Sequence, residues 1–395
     1  MNMPVSPKQL HQGRTRRLPG RPPFDCIALL LQGGGALGAY QGGVYQALTE
    51  ANLHPDWVAG ISIGAINAAL IAGNPPESRV EKLRAFWETI TGNPFGGWAL
   101  QPPEALRGDL ARKWSNQWFA TAASLCGAPG LFGPRVLHPL LQPAGTPDAT
   151  SFYDTSSLKT TLERLVDFDR INAGEMRFSV GAVNVGTGNF VYFDNSTHKI
   201  RPEHVMASGA LPPGFRAIEI EGEHYWDGGL VSNTPLQWVL ESAEREDTLA
   251  FQVDLWSARG AVPSTLGEVV TRQKEIQYSS RTRASSDQFK KEQRLRNALA
   301  DLFAKLPDRL RETPEFALLN AEAGRKVYNV IQLIYRSKQY EGESKDFEFS
   351  SLSMEDHWAA GLNDTIRTLR HPEVLERPSS ADGVSTFDLA AHGRM

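Results

Sequence analysis

The sequence predicts an α/β protein with a largely parallel central sheet and helices on both of its faces. Two observations carry that expectation. Within residues 25–73, two short apolar runs, DCIALLLQ (25–32) and DWVAGIS (56–62), alternate with two segments of helical apolar spacing. Such β-α-β-α alternation is how a parallel sheet covered by helices reads in sequence. In addition, both runs are continuous rather than alternating, as strands buried on both faces require.

The chain has 395 residues, 41% hydrophobic and 22% charged, which is ordinary for a globular protein. That length suits one large domain with additions, or two domains. A net charge of −4 offers no general attraction to nucleic acid. The two cysteines, Cys26 and Cys126, form no C-x-x-C pair, which fits a reducing cytoplasm. No His or Cys spacing of a zinc site is present, and no metal or cofactor is called for.

The first 24 residues are basic and rich in Pro and Gly, with Arg14, Arg16, Arg17 and Arg21, and read as a disordered arm. No apolar signal-peptide core follows those charges. Residues 25–32 form the first strand, and ALGAYQGGVYQALTEANL (36–53) places Leu37, Tyr40, Val44, Ala47 and Leu48 at helical spacing. A second strand (56–62) and helix (63–73) follow, closed by Gly73 and the prolines at 75 and 76. The run 60–73 is too short to span a bilayer, which needs about 20 residues. Residues 80–90 read as a helix, and 91–150, rich in Gly, Pro and Trp, as a cap or a lipid-contacting insert.

Residues 155–168 form an amphipathic helix. MRFSVGAVNV (176–185) and NFVYFDN (189–195) form a hairpin, and TLAFQVDLW (248–256) is a core strand. The texture changes near 257, where a mainly helical, basic extension begins and runs to 395. Phe289, Leu295, Leu299, Leu302, Phe303 and Leu306 form one apolar stripe there, with Lys290, Lys291, Arg294 and Arg296 facing water. That face packs on its own domain or docks on a membrane surface. A late strand (326–337) and a helix near 353–370 complete the extension.

Two glycine-rich turns carry the chemistry. LQGGGALG holds Gly33, Gly35 and Gly38 in the G-x-G-x-x-G spacing of a dinucleotide loop, a weak signal alone. That reading expects an acidic residue at the end of the second strand, whereas Asp56 stands at its start. The second strand ends instead in Gly60-Ile61-Ser62-Ile63-Gly64, a G-x-S-x-G turn that would push Ser62 out as a nucleophile. A serine that merely caps the following helix fits the same letters. If the two strands are neighbours, the amides of Gly33, Gly34 and Gly35 lie beside Ser62 and supply the donors an oxyanion needs.

A serine nucleophile needs a base, usually a histidine. None of the nine histidines sits in a distinctive motif, although one remains an alternative base. YWDGGLVSNTPL (225–236) is more pointed: Asp227 stands at a strand end, and Gly228 and Gly229 let the chain turn. An ordinary Asx turn has the same composition. Ser208 and Asn67 lie near these motifs, where helix packing or capping explains them equally well.

Taken in order, the glycine loop (Gly33 to Gly38), the serine turn (Gly60 to Gly64), ASGALPPGF (207–215) and Asp227 to Gly229 resemble the patatin-like phospholipases, bacterial branch. The likeness covers roughly residues 25–256, and YRSKQYEGESKDFEFS (335–350) resembles the C-terminal extension of one bacterial subgroup. The resemblance implies a three-layer α/β/α fold and a Ser62–Asp227 dyad without histidine. It further implies an acyl-enzyme formed from a phospholipid or lysophospholipid ester, and no cofactor; a lipid substrate together with the basic stripe adds the expectation of peripheral contact of the C-terminal helices with the inner face of a membrane. One departure concerns the head group: many relatives carry Arg where this chain has Leu37. A short-chain or polymeric hydroxyacid esterase, and a non-catalytic scaffold, are the competing expectations.

Overall fold

A computed structural model describes residues 15, 17–18, 20–92, 109–241, 245–279, 282–338, 340–380 and 382–389. Most of the expected basic arm and residues 93–108 of the expected cap lie outside the described residues. The strands are β1 (Cys26–Leu31), β2 (Trp57–Gly60), β3 (Gly133–Pro134), β4 (Tyr153–Asp154), β5 (Arg177–Asn184), β6 (Phe190–Asp194), β7 (Ile218–Ile220), β8 (Glu223–Asp227), β9 (Thr248–Asp254), β10 (Tyr328–Ile334) and β11 (Val384–Phe387). The helices are α1 (Ala39–Glu50), α2 (Ile63–Ala72), α3 (Arg79–Ile90), α4 (Asp109–Cys126), α5 (Ser156–Leu165), α6 (Phe168–Asn172), α7 (Pro202–Ser208), α8 (Leu236–Leu240), α9 (Leu266–Tyr278), α10 (Thr282–Phe303), α11 (Asp308–Arg311), α12 (Pro314–Glu322) and α13 (Ser351–Thr368).

Nine of these strands form one sheet in the order β11-β10-β9-β1-β2-β5-β8-β7, with β6 on the other edge of β5. The pairs from β11 through β5 are parallel, while β6, β7 and β8 run antiparallel to their neighbours. Strand alternation divides the core into two layers. Ile27, Leu29 and Leu31 join the cluster of α1, α2, α3 and α13 on one face. Cys26, Ala28 and Leu30 join Leu236 and Val239 of α8 and Phe289 of α10 on the other. The result is the three-layer α/β/α arrangement expected from sequence.

The basic extension beyond residue 256 is woven into this sheet. β10 lies along β9 from Tyr328 to Ile334, and β11 follows it. α13 crosses α1 so closely that a Cβ on Gly43 would fall 1.9 Å from the Trp358 carbonyl oxygen, and one on Gly361 would fall 2.0 Å from that of Tyr40. The stripe expected on α10 needs correction. Phe289 and Phe303 are buried, but Leu295 and Leu302 are more than half exposed. The inward face runs instead through Gln293, which donates to the Lys326 carbonyl at 2.8 Å, and Arg296, which faces Glu322. Arg294, another of the expected cations, pairs with Asp382.

The sheet brings the two chemical turns together through an unusual division of one strand edge. β2 pairs with β5 until Gly60 stands opposite Val180. β8 arrives on the same edge from the opposite direction and stops with Asp227 opposite Ala182. Gly181 is left facing the gap between the two strand ends. The serine turn leaves from one side of this gap and Asp227 enters from the other.

Candidate active site

Ser62 occupies the elbow between β2 and α2 with φ 56° and ψ −123°, a backbone conformation that costs about 1–3 kcal/mol and persists only where its surroundings impose it. The surroundings are tight. A Cβ on Gly60 would lie 2.3 Å from the Gly64 carbonyl oxygen, and one on Gly64 would lie 2.2 Å from that of Leu31, so both flanking positions exclude any side chain. Ser208, at the end of α7, clamps the turn. Its hydroxyl accepts from the Ser62 amide at 3.0 Å and donates to the Gly181 carbonyl at 2.6 Å. The Ser62 side chain makes no capping bond to α2, so the capping alternative does not hold.

The hydroxyl faces the carboxylate of Asp227 instead, across a cavity that both line. Asp227 is 2% exposed. Burial pushes its carboxyl up to about 6, against the opposing pull of the Ser62 hydroxyl and the Gly229 amide. That amide reaches the Asp227 carboxylate at 2.7 Å, so the Asx turn exists and also fixes the acid. Gly228 presses on Gly181, whose carbonyl oxygen would sit 2.6 Å from a Cβ there.

The glycine loop lies across from this pair. Among the described residues, the amides of Gly33, Gly34, Gly35 and Ile63 have no hydrogen-bond acceptor in the protein. Their direction is set by what holds the carbonyls. In a trans peptide C=O and N–H point opposite ways. The Gly33 carbonyl accepts from the Asn233 amide at 3.1 Å and the Trp256 indole at 3.0 Å, which turns the Gly34 amide away from both. Gln32, fully buried, accepts from the Leu255 and Trp256 amides and donates to Thr234 and the Tyr278 carbonyl, joining β1, β9, α8 and α9 at this point. Gly38 packs against Ile63 and Trp87 farther from the pair. Asn67 holds the Gly38 carbonyl and Gln41, and Leu37 is wholly buried.

Ser62, Asp227, Gly33, Gly34, Gly35 and Gly229 all line one cavity of about 440 Å³. Its wall is otherwise mainly apolar, with Leu131, Phe132, Leu158, Phe215 and Phe349 among the lining side chains. No histidine, lysine or arginine belongs to that wall among the described residues. Asp56, the acid required by the dinucleotide reading, instead accepts from the Ile27 amide at the start of β1, at the opposite end of the strands. Sequence reasoning missed Gln32, Asn233, Trp256 and Tyr278. Asn233 and Trp256 were visible only as neighbours of recognised segments.

A strained serine, a buried carboxylate and unused loop amides on one apolar cavity fit acyl-transfer chemistry. Family comparison reaches the same class. A model described as patatin-like phospholipase matches residues 29–239, more than half of the chain, and a second, described as patatin phospholipase, matches residues 276–381. The chain belongs to the patatin-like phospholipase family, whose members are lipid acyl hydrolases. A patatin-like phospholipase domain-containing protein of Caenorhabditis elegans is 43% identical over 63 residues, which are 16% of this chain and 5% of that protein. The chain thus matches only about a twentieth of that relative's length. Among solved structures, VipD from Legionella pneumophila aligns at 15% identity over 98% of this chain and 79% of its own, with a TM-score of 0.39. ExoU of Pseudomonas aeruginosa, in a structure of its complex with SpcU, aligns at 20% identity over 65% and 50%, with a TM-score of 0.25.

Proposed function

We propose that the protein hydrolyses carboxylic esters of phospholipids or lysophospholipids through Ser62 and Asp227. The observation that carries this is a strained, uncapped serine and a buried carboxylate lining one apolar cavity. Ser62 Oγ attacks the ester carbonyl while Asp227 takes its proton. The oxyanion is held by amides of Gly33, Gly34 and Gly35. Collapse returns that proton to the departing alcohol and leaves an acyl-Ser62. Water, giving its proton to Asp227, then releases the fatty acid and Ser62 recovers its hydrogen. A carboxyl with an unperturbed pKa is a weak base; burial, which brings this one to about 6, makes it serviceable near neutral pH.

The apolar cavity favours an acyl chain over a short polar acid. We place contact with the lipid surface at the rim of this cavity, where α4 contributes Ala123 and Ser124 to the wall and turns Trp114, Trp118 and Leu125 outward. Membrane contact through α10 has less support, since its cation Arg294 is paired with Asp382.

The test is intact mass after exposure to a serine-reactive fluorophosphonate, for wild type, Ser62→Ala and Asp227→Asn. One adduct on wild type, absent from Ser62→Ala and slowed at least 100-fold in Asp227→Asn, is the expected result. Undiminished labelling of Asp227→Asn would return the role of base to another group. Wild type that hydrolyses acetyl esters faster than long-chain esters would favour the short-chain alternative.

A further inference from the structure

The glycine loop is anchored at both ends, and the second anchor comes from the far end of the chain. Its near end is held by Gln32, Asn233 and Trp256. At its far end the Ala36 amide donates to the Asp346 carbonyl at 2.8 Å. The Ala36 carbonyl oxygen faces Nδ1 of His357 at 3.3 Å. Nε2 of the same ring faces Glu341 Oε2 at 3.6 Å. Glu341 is itself fixed by the Tyr335 hydroxyl at 2.5 Å and the Lys338 amide at 2.9 Å. His357 and Glu341 are 2% and 5% exposed, so this network is closed to water.

Only the Nδ1 side is within hydrogen-bond distance of its acceptor, the Ala36 carbonyl, while the Glu341 carboxylate packs against the Nε2 side and holds the ring in place. Between the two anchors stand three glycines, the residues with the least intrinsic backbone preference. Gly35 adopts φ +55°, and a Cβ there would lie 2.1 Å from the Asp346 carbonyl oxygen. The third glycine is needed because the C-terminal extension passes directly over the loop.

We propose that His357, braced by Glu341, is a positioning residue: by donating to the Ala36 carbonyl it fixes the aim of the Gly33–Gly35 amides at the oxyanion. This rests on Ser62 being the nucleophile and that loop its oxyanion site. A loop released at Ala36 still binds substrate through the apolar cavity. It loses the alignment that matters when charge develops, so kcat falls while KM stays.

Three variants of the full chain separate this role from simple filling of the core. In His357→Asn the amide nitrogen takes the place of Nδ1 and keeps the bond to Ala36. In His357→Gln it takes the place of Nε2, keeping Glu341 and losing Ala36. His357→Leu loses both. For a long-chain ester, His357→Asn should retain kcat to within about threefold, whereas His357→Gln and His357→Leu should lose roughly 10- to 100-fold. KM should stay within about twofold in all three, and fluorophosphonate labelling of Ser62 should slow in the same order. Equal losses in the Asn and Gln variants would overturn the proposal, as would a raised KM with unchanged kcat or a kcat that simply follows Tm. A wild type that acquires no adduct on Ser62 would instead remove the nucleophile on which the proposal rests.

Discussion

Asp227 is buried, which suits its proposed role as base and is costly to the fold. Its folded pKa of about 6 lies above the usual carboxylate value near 3.8. Between those values the unfolded chain has released its proton while the folded protein still holds one, so stability falls as pH rises through the interval. Above about pH 6 the loss levels off at about 3 kcal/mol. Asp227→Asn, with no charge to bury, should therefore gain stability over wild type at pH 8 and show little difference at pH 4, as read by thermal unfolding at both. An advantage equal at the two pH values would mean that the carboxyl titrates normally. The hydrolysis rate of wild type should rise through the same region, near pH 6, as the base ionises. Residues of this kind were legible in sequence because backbone geometry dictates them: Gly60 and Gly64 leave no room for a Cβ, and the gap at Gly181 admits only a tight turn at Asp227-Gly228. Gln32, Asn233 and Ser208 were not legible as site residues. Each bonds to a group well over a hundred positions away in the chain, so even Ser208, noted beside the motifs, shows no role in its neighbouring letters.

Helix α4 presents two opposite faces with opposite duties. At 100° per residue, Trp114, Trp118 and Leu125 fall on one narrow stripe, and Asn116, Ala120 and Ala123 on the other side. The second group is buried, while the two tryptophans are 77% and 66% exposed. Exposed tryptophans on a helix that walls an apolar cavity fit a surface that rests on lipid. Trp118→Ser should weaken binding to phospholipid vesicles about tenfold, equivalent to ~1.4 kcal/mol, and leave hydrolysis of a dissolved short ester unchanged. Unchanged vesicle binding in the double variant with Trp114→Ser would exclude this face. α4 itself was not separable in a stretch read from sequence only as an irregular cap or lipid-contacting insert. The core strands β1, β2, β5 and β9 were readable because burial on both faces makes them continuous apolar runs. β7 and β11 are short edge strands with partly exposed side chains and give no such pattern. On α10 the polar pair Gln293 and Arg296 faces inward because partners await it, so apolar spacing alone selects the wrong stripe.

At the scale of the whole molecule, the extension after residue 256 supplies structure that the first part cannot replace. Ile331, Leu333, Tyr335, Met354, Trp358 and Val374 are all buried in the same core cluster as β1, α1 and α2. Burying each such side chain contributes about 1.5–3 kcal/mol, so together they amount to about 9–18 kcal/mol, at least as much as the net stability of a typical domain. Without β10, β9 becomes a sheet edge whose Leu249, Phe251 and Val253 are wholly buried in the intact fold. An open apolar edge of this kind invites association. Asp346 and His357 would also be gone from the glycine loop. A chain ending at residue 256 should therefore be aggregated or unfolded and unreactive toward fluorophosphonate. The full chain should unfold in a single transition by far-ultraviolet circular dichroism and tryptophan fluorescence alike. If residues 25–256 instead yield a monomer with its own cooperative transition, the sheet closes without β10 and the extension is a separable addition. If that monomer folds but does not label, the extension serves the active site alone, through Ala36. The two results divide support of the fold from support of the chemistry.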